Sequence, residues 1–274
     1  MSKFFDTHTH SQFSPDSRTT VSELLAEARE QGLAGITITD HLDLDAPRNP
    51  GLFEFSISSQ QEAIDQAKAD IFPGGECKVL KGIEIGLQSC SIEHSREFIA
   101  GYEFDQIIAS IHFIDGQDPF YGGYYEDKEY KQAYSRTLEL IYQTARDFGD
   151  FDVIGHFDYV ARYAPYSVKD ITYADFPDEL DTLLKFLSQE GKALEVNTKT
   201  YSLQNARWQK PDIFIFKRFK ELGGELVTFG SDAHDASRLA DSFSFYAQML
   251  QECGFPKLAY FEKRKPHLYN PLPF

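Results

Sequence analysis

Histidine and acidic residues recur in this sequence in or just after short apolar segments. Six of the eight histidines and three acidic residues share this placement. The nine residues are His8, His10, Asp16, His41, Glu84, His112, His156, Asp232 and His234. Imidazole and carboxylate groups are protein ligands of zinc, iron and manganese, and so many of them together would be costly without a cation. The combination predicts a site for several metal ions.

The spacing of His8 and His10 fits this interpretation. Residues two apart in an extended strand point to the same face, so both imidazoles could reach one ion. Such a pair is weak on its own, because two histidines at this spacing are more often ordinary polar residues. The other strand-end histidines give it weight. His94 and His267 lie away from the strand ends, and we expect them on the surface.

Alternating β-type and helical segments must position these side chains. Seven short apolar runs predict buried parallel strands, and the segments between them have helical character. The predicted strands are Lys3–Asp6, Gly35–Thr39, Val79–Ile85, Gln106–Ile111, Asp152–Ile154, Ala193–Val196 and Leu226–Phe229. The predicted helices are 20–30, 59–70, 129–148, 177–189 and 212–222.

This pattern predicts an α/β fold of one domain over residues 1–274, built as a seven-stranded (β/α)7 barrel related to the TIM barrel. In such a barrel the carboxyl ends of the strands meet on one face, where catalytic groups gather. An open, doubly wound sheet is the alternative, because one sequence does not give the strand order. We expect the proline-rich tail, residues 256–274, to pack as a terminal extension.

Composition excludes several classes of protein. With 43 acidic and 27 basic residues the net charge is −16, which disfavours broad binding to nucleic acid. No apolar run is long enough for a membrane span, and no signal peptide is recognisable at the N-terminus. The three cysteines are far apart and not in metal-binding spacing. These features predict a cytoplasmic protein that binds neither membranes nor nucleic acid.

The motifs that carry eight of the nine residues resemble, in the same order, those of the polymerase and histidinol phosphatase family. They are Asp6-Thr7-His8-Thr9-His10-Ser11, Thr39-Asp40-His41, the strand with Glu84, Ser110-Ile111-His112, Gly155-His156-Phe157-Asp158 and Ser231-Asp232-Ala233-His234. The resemblance spans residues 6–234 and implies a distorted barrel with three metal ions at the carboxyl ends of its strands. The length and the pattern over residues 11–17 look most like the histidinol-phosphate phosphatase branch.

The resemblance also implies how the ligands are shared among three divalent ions. The first ion would be held by His8, His10, Glu84 and Asp232, the second by Glu84, His112 and His156, and the third by Asp16, His41 and His234. Some relatives have histidine where Asp16 stands, and a carboxylate there still ligates. Ions that share a carboxylate can present a bridging hydroxide to phosphorus. Zinc, iron and manganese all suit these ligands.

Cationic side chains should assist such ions, because a phosphate monoester carries about two negative charges at neutral pH. Arg162, Lys199 and Arg207 follow the fifth and sixth predicted strands. The planar fork of arginine favours Arg162 and Arg207 as bidentate phosphate ligands, and Asn197 is a further candidate for substrate contact. The predicted catalytic group consists of Glu84, Asp232, Arg162 and Arg207.

The reaction implied by the family branch is hydrolysis of L-histidinol phosphate to L-histidinol and phosphate in histidine biosynthesis. Two alternatives stay open. The same site could act on a nucleotide or another small phosphomonoester, or the chain could be a metal-binding regulatory module without turnover. The complete ligand set disfavours the second. We expect a small-molecule partner, and the sequence gives no indication of oligomeric state.

Overall fold

Seven parallel strands form a nearly closed barrel, as the sequence predicts. In this computed structural model, which describes residues 4–167, 170–201 and 211–272, helices join successive strands. The barrel strands are β1 (Phe5–Thr9), β2 (Gly35–Ile38), β4 (Lys78–Gly86), β5 (Gln106–Ser110), β6 (Val153–Ile154), β7 (Ala193–Asn197) and β8 (Val227–Gly230), and the two-residue β3 (His41–Leu42) pairs with β4. The first strand extends to Thr9, further than predicted, so His8 lies within it.

A short main-chain contact joins the first and last strands and decides between a barrel and an open sheet. The main-chain amide of Asp232 donates to the carbonyl oxygen of His8 over 2.8 Å, and the main-chain amide of His10 donates to the carbonyl oxygen of Ala233 over 2.9 Å. Thr9 and Ala233 form a parallel bridge. We call this contact the seam. It closes the barrel at the end where the predicted site residues lie.

The helices pack around the barrel and bury one face each. Their bounds are α1 Val21–Gln31, α2 Ile57–Ile71, α3 Ile92–Ile99, α4 Tyr130–Phe148, α5 Tyr159–Tyr163, α6 Pro177–Gln189, α7 Ile213–Glu221 and α8 Phe243–Glu252. A capping box of Thr20 and Glu23 begins α1, and Gly32 ends it with a φ of 66°. The sequence does not predict α3, α5 and α8. None of the described helices is long and apolar enough to cross a membrane.

A β-hairpin covers the opposite end of the barrel, where the tail was expected only to pack as an extension. Its strands β9 (Leu258–Glu262) and β10 (Lys265–Tyr269) are antiparallel. The ring of Tyr260 stacks on Phe5 with centroids 3.9 Å apart. Phe261 is buried in an apolar cluster with Ile108, Val153 and Ala193 of three barrel strands. The hairpin therefore completes the core at the amino ends of the strands.

Candidate metal centre and active site

All nine predicted ligand residues converge at the carboxyl ends of the barrel strands. They come from β1, β3 and β4, from the loop after β1, and from the segments directly after β5, β6 and β8. Eight of them are largely or fully buried, whereas the side chain of Asp16 is 50% exposed. Parallel strands deliver these side chains to one place because their carboxyl ends share one face of the barrel.

The first group of side chains surrounds the end of β1. Nε2 of His8 lies 3.1 Å from Nε2 of His10 and 3.3 Å from Oε1 of Glu84. Nε2 of His10 lies 3.3 Å from Oδ1 of Asp232. Ligand atoms of His8, His10 and Asp232 lie within 4.8 Å of one another, and the Glu84 carboxylate adjoins them through His8.

A second group lies on the other side of the Glu84 carboxylate. Nε2 of His112 and Nε2 of His156 are 3.4 Å apart. Oε1 of Glu84 is 2.7 Å from the His156 nitrogen and 3.4 Å from the His112 nitrogen. The hydroxyl of Ser110 donates to the same oxygen over 2.7 Å, which fixes the carboxylate between the two groups.

The third group is nearest to solvent. Nε2 of His41 and Nε2 of His234 are 3.3 Å apart, and Oδ2 of Asp16 lies 3.0 Å from the latter and 3.7 Å from the former. Nδ1 of His41 also lies 2.6 Å from Oε2 of Glu84, without the geometry of a hydrogen bond. Spacing in the sequence does not predict this link between the third group and Glu84.

The ring nitrogens that face each other test whether metal ions fit. In each of the three pairs, two Nε2 atoms approach within 3.1–3.4 Å, so either the N–H hydrogen of one ring or a metal ion lies between them. A proton links only two atoms, whereas these nitrogens also face carboxylate oxygens. Two nitrogens bound tetrahedrally to zinc at about 2.0–2.1 Å are about 3.3 Å apart. The donor set fits divalent metal binding.

Electrostatics favour ionised carboxylates in this cluster. Burial opposes ionisation of Glu84, but the imidazoles of His8, His41 and His112 outweigh it and hold the pKa of that carboxyl well below its usual value. Burial also opposes ionisation of Asp232, and Lys199 and Arg162 outweigh it, so its pKa is again well below the usual value. Both groups present the charge that a metal ion requires.

Several imidazoles are oriented through their other ring nitrogen by groups that the sequence analysis did not assign. Nδ1 of His112 is 2.8 Å from Oδ1 of Asp43, and Nδ1 of His8 is 2.7 Å from Oε1 of Glu195. Nδ1 of His10 is 3.1 Å from the hydroxyl of Ser14. Two signals were available: Asp43 follows His41 by two positions in an extended segment, and Glu195 is a charge inside an apolar strand.

Two of the three predicted cationic residues, Arg162 and Lys199, lie beside the cluster. Arg162 is buried at the edge of the cavity, where it donates to Thr200 over 2.6 Å, to Oδ2 of Asp232 over 2.9 Å and to Oδ1 of Asn197 over 2.8 Å. Nζ of Lys199 is 3.1 Å from Oδ1 of Asp232. Arg207 lies outside the described residues.

Asn197 does not lie where a substrate contact was expected. Its amide oxygen accepts from Arg162, and its amide nitrogen donates to Oε2 of Glu195 over 3.2 Å. It is buried behind the arginine and is absent from the described wall of the cavity. Its position suits support of Arg162 and not direct recognition of a ligand.

A cavity of about 280 Å³ opens onto the cluster. Aromatic rings from two long loops and from α5 form much of its wall, namely Phe53, Phe113, Phe120, Tyr121, Tyr159 and Tyr163. Asp118 adds a carboxylate, which accepts through Oδ1 from the amide of Phe120 at 2.8 Å and from the hydroxyl of Tyr159 at 3.3 Å. The cavity thus places an anionic and aromatic wall beside the metal-binding groups and the cations.

The fold and the site together define a class of protein: a metal-binding α/β barrel with imidazoles and carboxylates clustered at the carboxyl ends of its strands. Comparison of the sequence with known proteins gives the family. The chain matches the PHP domain over residues 6–199. It is 32% identical over 265 residues to a probable histidinol-phosphatase of Clostridium acetobutylicum, covering 95% of this chain and 97% of that protein. It is also 32% identical to the histidinol-phosphatase of Lactococcus lactis, covering 96% of both. The chain belongs to the PHP family, the family that its motifs resemble.

Solved structures agree with this assignment. The crystal structure of histidinol phosphate phosphatase from Lactococcus lactis, complexed with zinc, L-histidinol and phosphate, is similar with a TM-score of 0.86 and 30% identity. The match covers 97% of this chain and 99% of that one. The structure of a Listeria monocytogenes protein described as a putative histidinol phosphatase, at 20% identity and a TM-score of 0.72, supports the fold alone and covers 88% of this chain and 99% of that one.

Proposed function

We propose that this protein is a metal-dependent phosphatase that hydrolyses L-histidinol phosphate to L-histidinol and phosphate. One observation carries the proposal: six of the nine ligand residues line one cavity of about 280 Å³ together with Arg162 and Lys199, and the buried Glu84 lies directly behind them. Support for the substrate comes from the similarity to the Lactococcus lactis enzyme, whose structure holds L-histidinol and phosphate. The reaction would serve histidine biosynthesis.

Three groups of ligand atoms support a proposal of three divalent ions, with Glu84 shared between the first two. His8, His10 and Asp232 would complete the first position, His112 and His156 the second, and Asp16, His41 and His234 the third. Bound divalent ions in such sites withdraw negative charge from phosphate and supply a nucleophile from water at neutral pH. Zinc, iron and manganese each suit the donor set.

The cationic side chains of the chain would bind and orient the phosphate group. Three of the five N–H groups of Arg162 donate to Thr200, Asp232 and Asn197, which holds the guanidinium in place, and the other two have no partner among the described residues. Lys199 is 38% exposed, so its ammonium group can reach a ligand in the cavity. Together they would offset the charge of the ester and hold it against the metal-binding groups.

The other wall of the cavity matches the organic part of histidinol phosphate, which carries an ammonium group and an imidazole ring. The Asp118 carboxylate would pair with the ammonium group. The aromatic wall, with Phe53 and Tyr121 from the two loops, would pack against the imidazole. This half of the cavity would therefore select the substrate, while the cluster and cations perform reactions common to phosphate esters.

Phosphate release by protein of measured metal content tests the function. We expect a kcat/KM for L-histidinol phosphate at least about 100-fold above those for p-nitrophenyl phosphate and a mononucleotide, which is about 2.7 kcal/mol of selective transition-state binding. Low and similar rates on all three esters would still indicate a metallophosphatase, but would rule out L-histidinol phosphate as its specific substrate. No release from any ester by fully metal-loaded protein would reject the phosphatase.

A further inference from the structure

Glu195 is a buried carboxylate in the middle of β7 that joins two of the metal-binding groups. Its Oε1 lies 2.7 Å from Nδ1 of His8, and its Oε2 accepts the main-chain amide of His156 over 2.7 Å. His8 and His156 stand on either side of the same Glu84 oxygen. One side chain therefore contacts two histidines, one in β1 and one directly after β6, at the junction of the first and second groups.

Both carboxylate oxygens of Glu195 act as hydrogen-bond acceptors. The amide of His156 and the side-chain amide of Asn197 both donate to it, and Nδ1 of His8 must also donate if Nε2 is to keep its lone pair for a metal ion. A glutamine of the same shape would set its own NH₂ group against one of these donors. In one orientation it would force the proton of His8 onto Nε2, where it blocks ligation.

The neighbouring strands leave room for this carboxylate. A side chain at Gly230 would place its Cβ 2.0 Å from Oε1 of Glu195 and 2.6 Å from Cβ of His8. Both distances are far below van der Waals contact, so any other residue at position 230 would push the carboxylate away from the imidazole. The requirement for glycine thus arises from the space that Glu195 and His8 share.

The same arrangement recurs at a second imidazole. Asp43 contacts Nδ1 of His112 at 2.8 Å, and a Cβ at Gly86 would lie 1.8 Å from the same carboxylate oxygen. Two imidazoles are therefore each backed by a buried carboxylate that occupies the space above a glycine. An unrelated structural role for Glu195 does not explain this repetition.

We infer that Glu195 is a positioning residue of the metal centre: it fixes the tautomer of His8 and the backbone of His156, so that both Nε2 atoms face Glu84. The inference rests on the proposed metal centre but not on the identity of the substrate. Partners of this kind usually contribute about 10- to 100-fold in metal affinity or activity.

The test is zinc affinity, measured by competition with a chromophoric chelator, for the wild type, Glu195→Gln, Gly230→Ala and Thr228→Val. Thr228 is the matched control, because it pairs in register with Glu195 and its buried hydroxyl has no hydrogen bond to any described residue. We expect about 10- to 100-fold weaker zinc binding in Glu195→Gln and in Gly230→Ala, and wild-type affinity in Thr228→Val. Circular dichroism of each variant would verify the fold.

Wild-type affinity in Glu195→Gln, or an equal loss in Thr228→Val, would overturn the inference. If Glu195→Gln does not fold, the ring ¹H–¹⁵N correlation spectrum of the zinc-loaded wild type decides. A proton on Nδ1 of His8 is expected, and a proton on Nε2 would overturn the assignment. Because neither measurement uses a substrate, failure of the proposed reaction would leave the zinc affinities intact and is distinguishable from failure of this inference.

Discussion

Arg162 and Asp232 form a buried ion pair in which each group has a second task. Nη1 of Arg162 lies 2.9 Å from Oδ2 of Asp232, while Oδ1 of the same carboxylate lies 3.3 Å from Nε2 of His10. One oxygen thus faces the arginine and the other faces the first metal-binding group. The guanidinium lines the cavity as well, so in the proposed function it would connect the bound phosphate with the metal ligand Asp232.

Replacing Arg162 should therefore affect both tasks. We expect Arg162→Ala to lower kcat/KM for phosphate esters by roughly 10²–10³-fold, the effect of removing one donor to a developing negative charge, and to weaken metal retention through Asp232. Arg162→Lys should lose less of kcat/KM, since lysine keeps the positive charge but lacks the planar, bidentate guanidinium. Steady-state kinetics with metal analysis measures both effects. Arg136→Ala, which removes a surface pair with Asp115, is the control, and equal behaviour of the two alanine variants would contradict the assignment.

Glu84→Gln should empty two metal positions together. The neutral amide cannot balance two divalent ions, so we expect lower metal content and a loss of kcat above about 100-fold, the upper limit for residues that only orient ligands. Elemental analysis of the dialysed variant and phosphate release would measure these changes. Glu97→Gln, at an exposed position on α3, should match the wild type. Near-normal activity of Glu84→Gln would rule out a shared carboxylate.

Asp118→Asn should change substrate preference more than it changes chemistry. Loss of a hydrogen bond to a charged group costs about 1.5–3 kcal/mol, so kcat/KM for L-histidinol phosphate should fall about 10- to 150-fold. The rate with p-nitrophenyl phosphate, which has no ammonium group, should stay within a factor of two or so of wild type. Asp115→Asn is the matched control on the same loop. A parallel fall with both esters would place Asp118 in the common chemistry instead.

Removal of metal should destabilise the protein. A ligand present at about 1,000 times its Kd stabilises the folded state by about 4 kcal/mol, and each kcal/mol shifts the melting temperature of a chain of this size by about 2–4 °C. We expect a chelator to lower the melting temperature by about 8–16 °C and added zinc or manganese to restore it. The chelator already saturated with zinc is the control. An unchanged melting temperature in metal-free protein would show that the cluster folds without ions.

Phe261→Ala should weaken the barrel from the end opposite the site. The ring is buried at 2% exposure among residues of three barrel strands, and such truncations cost about 3–5 kcal/mol. Urea unfolding at fixed metal concentration measures the change. Leu268→Ala, on the outer strand of the hairpin at 51% exposure, should cost little. Equal stability of the two variants would mean that the hairpin does not contribute to the core.

Much of the architecture is readable from the sequence because apolar runs and strand-end polar residues are local signals. The seven barrel strands follow this rule, and the side chains after them meet because parallel strands share an orientation. The sequence does not predict the hairpin, because its turn lacks the usual asparagine and glycine. Lys263 and Arg264 stand there instead and adopt positive φ values of 51° and 62°. Its outer strand is exposed and contains Pro266, which weakens the strand pattern.

Contacts between distant segments are the part that spacing does not give. The approach of His41 to Glu84, at 2.6 Å, depends on how the short β3 pairs with β4. Glu195 was visible as a charge in an apolar strand, but its partners belong to β1 and to the segment after β6. Such relationships depend on three-dimensional register, which follows from the packing of the whole barrel.

The proposed metal ligands lie on both sides of the seam that closes the barrel. His8 lies in the first strand and His10 directly after it, while Asp232 and His234 follow the last strand, and the two main-chain hydrogen bonds of the seam join the two sides. A metal ion with ligands on both sides of the seam would link the first strand to the segment after the last. Like a cross-link that closes a very long loop, it would restrict the unfolded chain far more than a local contact does. Loss of the ion and separation of the first and last strands would then occur together. The protein would lose its catalytic groups and the closure of its barrel at the same time.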